Sequence, residues 1–152
     1  MLTAAYPIAL TTTNDDMFIT PIHTILFHPN VDQLSEIVRF LVESNPLSLQ
    51  VRDSFARVPL LVACSNGNMT TKIIQLLLDY WPESSRQLDD LGETAVHLLC
   101  NNLSIDDMTS LEITTLLIES YPDAMWLEDA DCRQLPFMMQ LEICCRSFSN
   151  CY

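Results

Sequence analysis

His23, His28 and His97, six cysteines and several adjacent aspartates are the residues of this chain that could do chemistry. The histidines would serve as metal ligands or acid–base groups, the cysteines as zinc ligands or nucleophiles, and the aspartates as paired catalytic carboxylates. The spacings argue against each of these. No CxxC pair exists among Cys64, Cys100, Cys132, Cys144, Cys145 and Cys151, and their intervals fit no zinc-finger pattern. Asp15-Asp16, Asp89-Asp90 and Asp106-Asp107 each stand in a connector or just ahead of an apolar periodic segment, where Asp caps free N–H groups. The two glycines, Gly67 and Gly92, are too far apart to form a phosphate-cradling loop, and no GxSxG nucleophile turn occurs. The chain is not expected to be an enzyme or to hold a cofactor or metal.

The bulk properties narrow the partners. A formal net charge of −13, from 7 basic and 20 acidic residues, opposes nucleic acid and anionic membranes alike. The basic residues Arg39, Arg52, Arg57, Lys72, Arg86, Arg133 and Arg146 are scattered. The acidity favours basic or neutral partners. Nearly half of the 152 residues are apolar, which suits one folded domain. Cysteines in a domain of this size read as reduced thiols, and an intracellular location is expected. The first residues lack the basic region of a secretory leader, and no apolar run reaches the ~20 residues of a membrane span.

What must position any functional residue is a repeat. IVRFLVESNP (Ile37 to Pro46), IIQLLLDYWP (Ile73 to Pro82) and ITTLLIESYP (Ile113 to Pro122) share one pattern, with prolines 36 and 40 residues apart. Each is preceded by a shorter motif: TPIHTIL from Thr20, VPLLVAC from Val58 and TAVHLLC from Thr94, with a degenerate copy LPFMMQL from Leu135. An acidic turn precedes each short motif, at Asp15-Asp16, Asp53, Asp89-Asp90 and Asp129 with Asp131. Thr-Pro or Val-Pro starts a helix well, because Pro at the first helical position gives up only an orphan donor. The longer motif carries apolar residues at helical spacing and stops before Pro. Each unit is therefore a helix–turn–helix joined to the next by a short hairpin-like connector. One such pair cannot bury its own apolar face, but a stack can.

The short motif, Thr20-Pro21-Ile22-His23 and Thr94-Ala95-Val96-His97 above all, resembles the first-helix signature of ankyrin repeats. The longer period and the Tyr-Pro-x-Ala after the second helix resemble ankyrin-like repeats of diatoms and related algae. The resemblance spans about residues 14–145, in units of about 14–52, 53–88 and 89–128 with a partial one at 129–145. Residues 1–13 and 146–152 flank them. It implies an all-α, ankyrin-like α-solenoid. It departs from the family at the hairpin glycine, kept only as Gly92 and replaced by Phe18 and Ala56, and in a longer insertion over residues 101–108.

From the resemblance, His23 and His97 are structural residues bonded to backbone, and another protein binds on a concave face of hairpin tips and first helices. Carried over by position, the tips are residues 16–19, 54–57, 91–93 and 131–133. The partner-contacting candidates on tips and first helices are Phe18, Phe27, His28, Phe55, Arg57, Ser65, Asn66, Leu91, Glu93, Asn101, Asn102 and Arg133. Phe55→Ala with Arg57→Ala is expected to spare folding and remove partner capture. Cys64 and Cys100 fall at the same register one helix layer apart, about 8–10 Å, too far for a disulfide. Trp81 and Trp126 are expected to pack between repeats. The expected role is a protein-interaction or scaffold module. The alternatives are a structural subunit of a larger assembly and a thiol or metal protein using Cys144, Cys145 and Cys151.

Overall fold

The computed structural model describes residues 20–28, 33–67, 69–130 and 135–136. Among them the regular structure is entirely helical: α1 (Pro21–Phe27), α2 (Leu34–Ser44), α3 (Pro59–Ser65), α4 (Thr71–Tyr80), α5 (Ala95–Asn101) and α6 (Asp107–Ser120). Of the candidate first-helix LPFMMQL only Leu135 and Pro136 are described, and the first and last tips lie outside the described residues.

Short and long helices alternate for sequence reasons. Thr20, Val58 and Thr94 hold extended backbone immediately before the short helices, and Pro21 and Pro59 fill the first helical position of two of them. The long helices stop at Asn45, Trp81 and Tyr121, each at φ near −150° and ψ near 85°, off the helical region that a following proline disfavours. The chain does not open into a loop there. It tightens into the 3-10 segments Pro46–Gln50, Pro82–Arg86 and Pro122–Trp126. The buried Ser48 and Ser84 close the first two, their Oγ donating to the carbonyls of Asn45 and Trp81 at 2.7 and 2.6 Å.

The helices pack in two rows. α1 lies on α3 and α3 on α5, while α2 lies on α4 and α4 on α6; each short helix also packs on the long helix that comes after it. Between the rows sit Leu26, Val42, Leu61, Ile74, Leu77, Leu99 and Leu117, all essentially inaccessible. Full burial of such a side chain contributes about 1.5–3 kcal/mol, so the apolar pattern accounts for the stacking. Cys64 is buried and Cys100 half-buried, and both are free thiols. Gly67, just after α3, runs so close to the loop before α6 that a Cβ there would overlap the Cβ of Ser104. Trp81 packs against the core as expected. Trp126 does not: it is 74 % exposed, at the end of the 3-10 segment Pro122–Trp126. Among the described residues no helix is long and apolar enough to cross a membrane.

Candidate interaction surface

The acidic turns are built by their first aspartate. Asp53 N–H donates to the Arg57 carbonyl at 2.9 Å and Ala56 N–H returns to the Asp53 carbonyl at 3.0 Å. The Asp53 carboxylate lies inside the turn. Its Oδ1 accepts from the backbone N–H groups of Phe55 and Arg57, both at 2.9 Å, and its Oδ2 accepts from Arg57 Nε and Nη2 at 3.0 and 2.8 Å. Asp89 repeats the design, accepting from Leu91 and Glu93 N–H at 3.0 and 2.8 Å. Both aspartates are thus structural, as Asp106 is where its Oδ1 accepts from Thr109 N–H at the start of α6. Ala56 and Gly92 occupy the same place in their turns and share left-handed backbone, at φ 58° and 74°.

Consecutive turns are joined into a ladder. Asp90 N–H donates to the Phe55 carbonyl at 3.1 Å, and Ala130 N–H donates to the Leu91 carbonyl at 2.9 Å. This register places Phe55 and Leu91 at matching positions of neighbouring tips, 49 % and 48 % exposed. Both carry apolar side chains where the turn itself requires none.

The remaining sequence candidates divide. His28, Ser65 and Asn101 are exposed, with Ser65 Oγ donating back to the Val62 carbonyl and Asn101 Nδ2 donating to Glu93 Oε1 at 3.0 Å. Phe27 is partly buried against the core. Phe18 and Arg133 lie outside the described residues. Three candidates are partly buried and hold partners within the chain. The Arg57 guanidinium is engaged by the buried Asp53 carboxylate and lies over the rings of Phe55 and Phe27, 4.8 and 5.4 Å from their centroids. Removing it would therefore disturb the turn, contrary to the expectation that Arg57→Ala spares folding. Asn66 Nδ2 donates to the carbonyls of Leu26 and Phe27 at 2.7 and 3.2 Å, and Asn102 Nδ2 to that of Cys64 at 3.1 Å. Both amides close the open carbonyl end of the preceding short helix. The sequence signal was present, in that two asparagines recur at one register.

The histidines are structural in the sense expected. His23 Nδ1 lies 3.4 Å from the Thr20 N–H and 2.7 Å from its hydroxyl, and His97 repeats this with Thr94 at 3.1 and 2.8 Å. A backbone N–H can only donate, so Nδ1 carries no proton and the hydroxyl donates to it as well. The proton then sits on Nε2, which in His23 donates to the Arg57 carbonyl of the next unit at 3.2 Å. Burial lowers the His23 pKa below its ordinary 6.5, partly offset by the bond to Arg57 and by the Asp53 charge. In the middle unit the pair is replaced as a pair, by Val58 and Leu61, both buried.

The thiols offer little reactivity. Burial pushes Cys64 up to about 12 and Cys100 up to about 11, far from the thiolate range. No group of three His, Cys, Asp or Glu among the described residues could hold a metal ion. Cys132, Cys144, Cys145 and Cys151 lie outside them. Comparison of the chain with protein-family models and with curated proteins found no match.

Proposed function

We propose that this chain is an ankyrin-type solenoid serving as a protein-interaction module without catalysis of its own, its partner held on the turn tips and the exposed side of the short helices. One observation carries the reading. The hydrogen-bonded register of neighbouring turns aligns two half-exposed apolar side chains, Phe55 and Leu91, on a rigid scaffold. Aromatic and aliphatic anchors on a pre-ordered surface lose little conformational entropy on binding, which is how a few residues dominate an interface. Asp90, Ser65, Asn101 and His28 form the polar surroundings on this reading. The partner is another protein, and neither nucleic acid nor a membrane surface fits the charge.

The test is Phe55→Ser with Leu91→Ser, leaving Asp53, Arg57 and Asp89 in place so that the turns survive. Affinity capture from the native cell should retain a defined set of proteins on the wild-type chain and lose it on the variant, with unchanged circular dichroism. Retention of the same set would refute the assignment of the face.

A further inference from the structure

α6 has 14 residues, where α4 has 10 and α2 has 11. The three helices end alike at their prolines, so the surplus lies at the α6 N-terminus, as one turn from Asp107 to Ser110 with no counterpart in α4. Met108 and Leu111, three apart and so on one helix face, are 68 % and 62 % exposed; Leu103, in the loop before them, is 71 % exposed. The aligned positions of α4 carry no such pair, its Ile73, Ile74, Leu76, Leu77 and Leu78 all being buried, although Leu47, Leu88 and Leu91 are exposed in other parts of the stack. At Leu111 the preceding unit has Thr71, and at Met108 it has no residue at all. The inserted turn therefore puts apolar surface into water that the stack does not use.

The charge along this segment of the chain is one-sided. From Gln87 to Cys132 the chain contains no Lys or Arg. Asp106, Asp107 and Glu112 border the exposed apolar residues, and the Glu112 carboxylate accepts a neutral hydroxyl bond from Thr71 Oγ1 at 2.7 Å, with no ion pair to it among the described residues. A second copy of this chain would bring like charge to like charge. A partner carrying Lys or Arg beside aliphatic residues would satisfy both features, and Met is well suited to adapt to such a face.

We infer that the N-terminal turn of α6 is a second docking surface, apart from the turn tips, for a basic amphipathic segment of another protein. The experiment is a selection from a random peptide display library against the wild-type full chain, with the clones re-tested on two variants. Clones rich in Lys and Arg, with aliphatic residues three or four apart, should be lost on Met108→Ser/Leu111→Ser and kept on Phe55→Ser/Leu91→Ser. The corresponding synthetic peptide should bind the first variant at least about tenfold more weakly, and binding to the wild type should weaken as salt rises to about 0.5 M. Loss of the clones on the tip variant instead would assign them to the tips, leaving the proposed function standing and this inference refuted. It also fails if no clone depends on Met108 and Leu111, or if the dependent clones are neutral or acidic. Dimerisation of the wild-type chain through these residues, or a loss of the chain's own stability in Met108→Ser/Leu111→Ser, overturns it too, since either means that the turn is already covered.

Discussion

The imidazole of His23 and the carbonyl of Arg57, 34 residues apart, meet at 3.2 Å across two consecutive units. The same ring accepts from Thr20 within its own unit, so one side chain fastens the start of α1 and the neighbouring turn together. The Arg57 carbonyl also accepts from Asp53 N–H. It therefore keeps a partner when the imidazole is lost, and so does its counterpart in the next turn, the Glu93 carbonyl, which accepts from Asp89 N–H at 3.2 Å where the middle unit has Val58 and Leu61 instead.

That substitution of a pair by a pair predicts strong coupling. Thr20→Val or His23→Leu alone strands a buried polar group and should cost about 1–3 kcal/mol. The double variant recreates the arrangement of the middle unit and should cost clearly less than the two single losses together. Urea denaturation of the four proteins measures the coupling; strict additivity would contradict it.

The same geometry sets a pH dependence. The pKa of His23 is lower in the folded state than the 6.5 of the unfolded chain, first because burial disfavours the imidazolium. The unfolded state then binds more protons, so stability increases with pH in this window. The contribution is fully present above pH 6.5 and drains away as the pH falls from there towards the depressed folded value. Wild type should lose stability relative to Thr20→Val/His23→Leu over that interval, and the His23 ring proton resonance should titrate below 6.5. A midpoint at 6.5 would remove the dependence, and one above it would reverse the sign.

Ala56 and Gly92 should respond oppositely to exchange. Left-handed backbone costs a residue with a Cβ about 1–2 kcal/mol, against about 0.4–1 kcal/mol for the added freedom of an unfolded glycine. Ala56→Gly should raise stability by up to about 1 kcal/mol on that balance. Gly92→Ala should lower it, since a Cβ there would also press on Ala130 N and Cβ at 3.0 Å. Paired thermal melts decide both.

Arg57 and Asn66 should behave as scaffold residues. Arg57→Ala leaves the buried Asp53 carboxylate without its cation and should cost about 1–3 kcal/mol, with Arg57→Lys recovering only part because it cannot form the forked contact. Asn66→Ala opens two carbonyls at the end of α1 and should cost about 1 kcal/mol. Denaturant midpoints should fall in both, while the Phe55→Ser/Leu91→Ser midpoint stays near wild type.

Much of this architecture is legible in the residues, for a physical reason. Helix starts need a cap or Pro, helix cores need apolar residues at 3.6 spacing, and both devices recur in Thr20-Pro21, Val58-Pro59 and the three Ile-to-Pro segments. The left-handed turn position is legible too, because Gly92 marks it and Ala56 aligns with it. Partnership across units is less so. Periodicity tells that Asn66 and Asn102 share a register, but not that their amides turn back to the preceding helix. Composition tells that Arg57 is a rare cation in an acidic chain, but not that Asp53 claims it. The 3-10 segments are hidden for a different reason: proline forbids continuation of the α-helix without dictating the conformation of the residues after it.

The prolines at the 3-10 segments also bear on synthesis. The segments that begin at Pro46, Pro82 and Pro122 close each unit locally, through backbone bonds between their other residues that span three positions, and the main packing of each unit is with the one just before or after it. A unit leaving the ribosome can therefore settle on its predecessor before the next has been translated. Growth from the N-terminus, one layer at a time, avoids the long-range chain searches that slow folds with distant pairings.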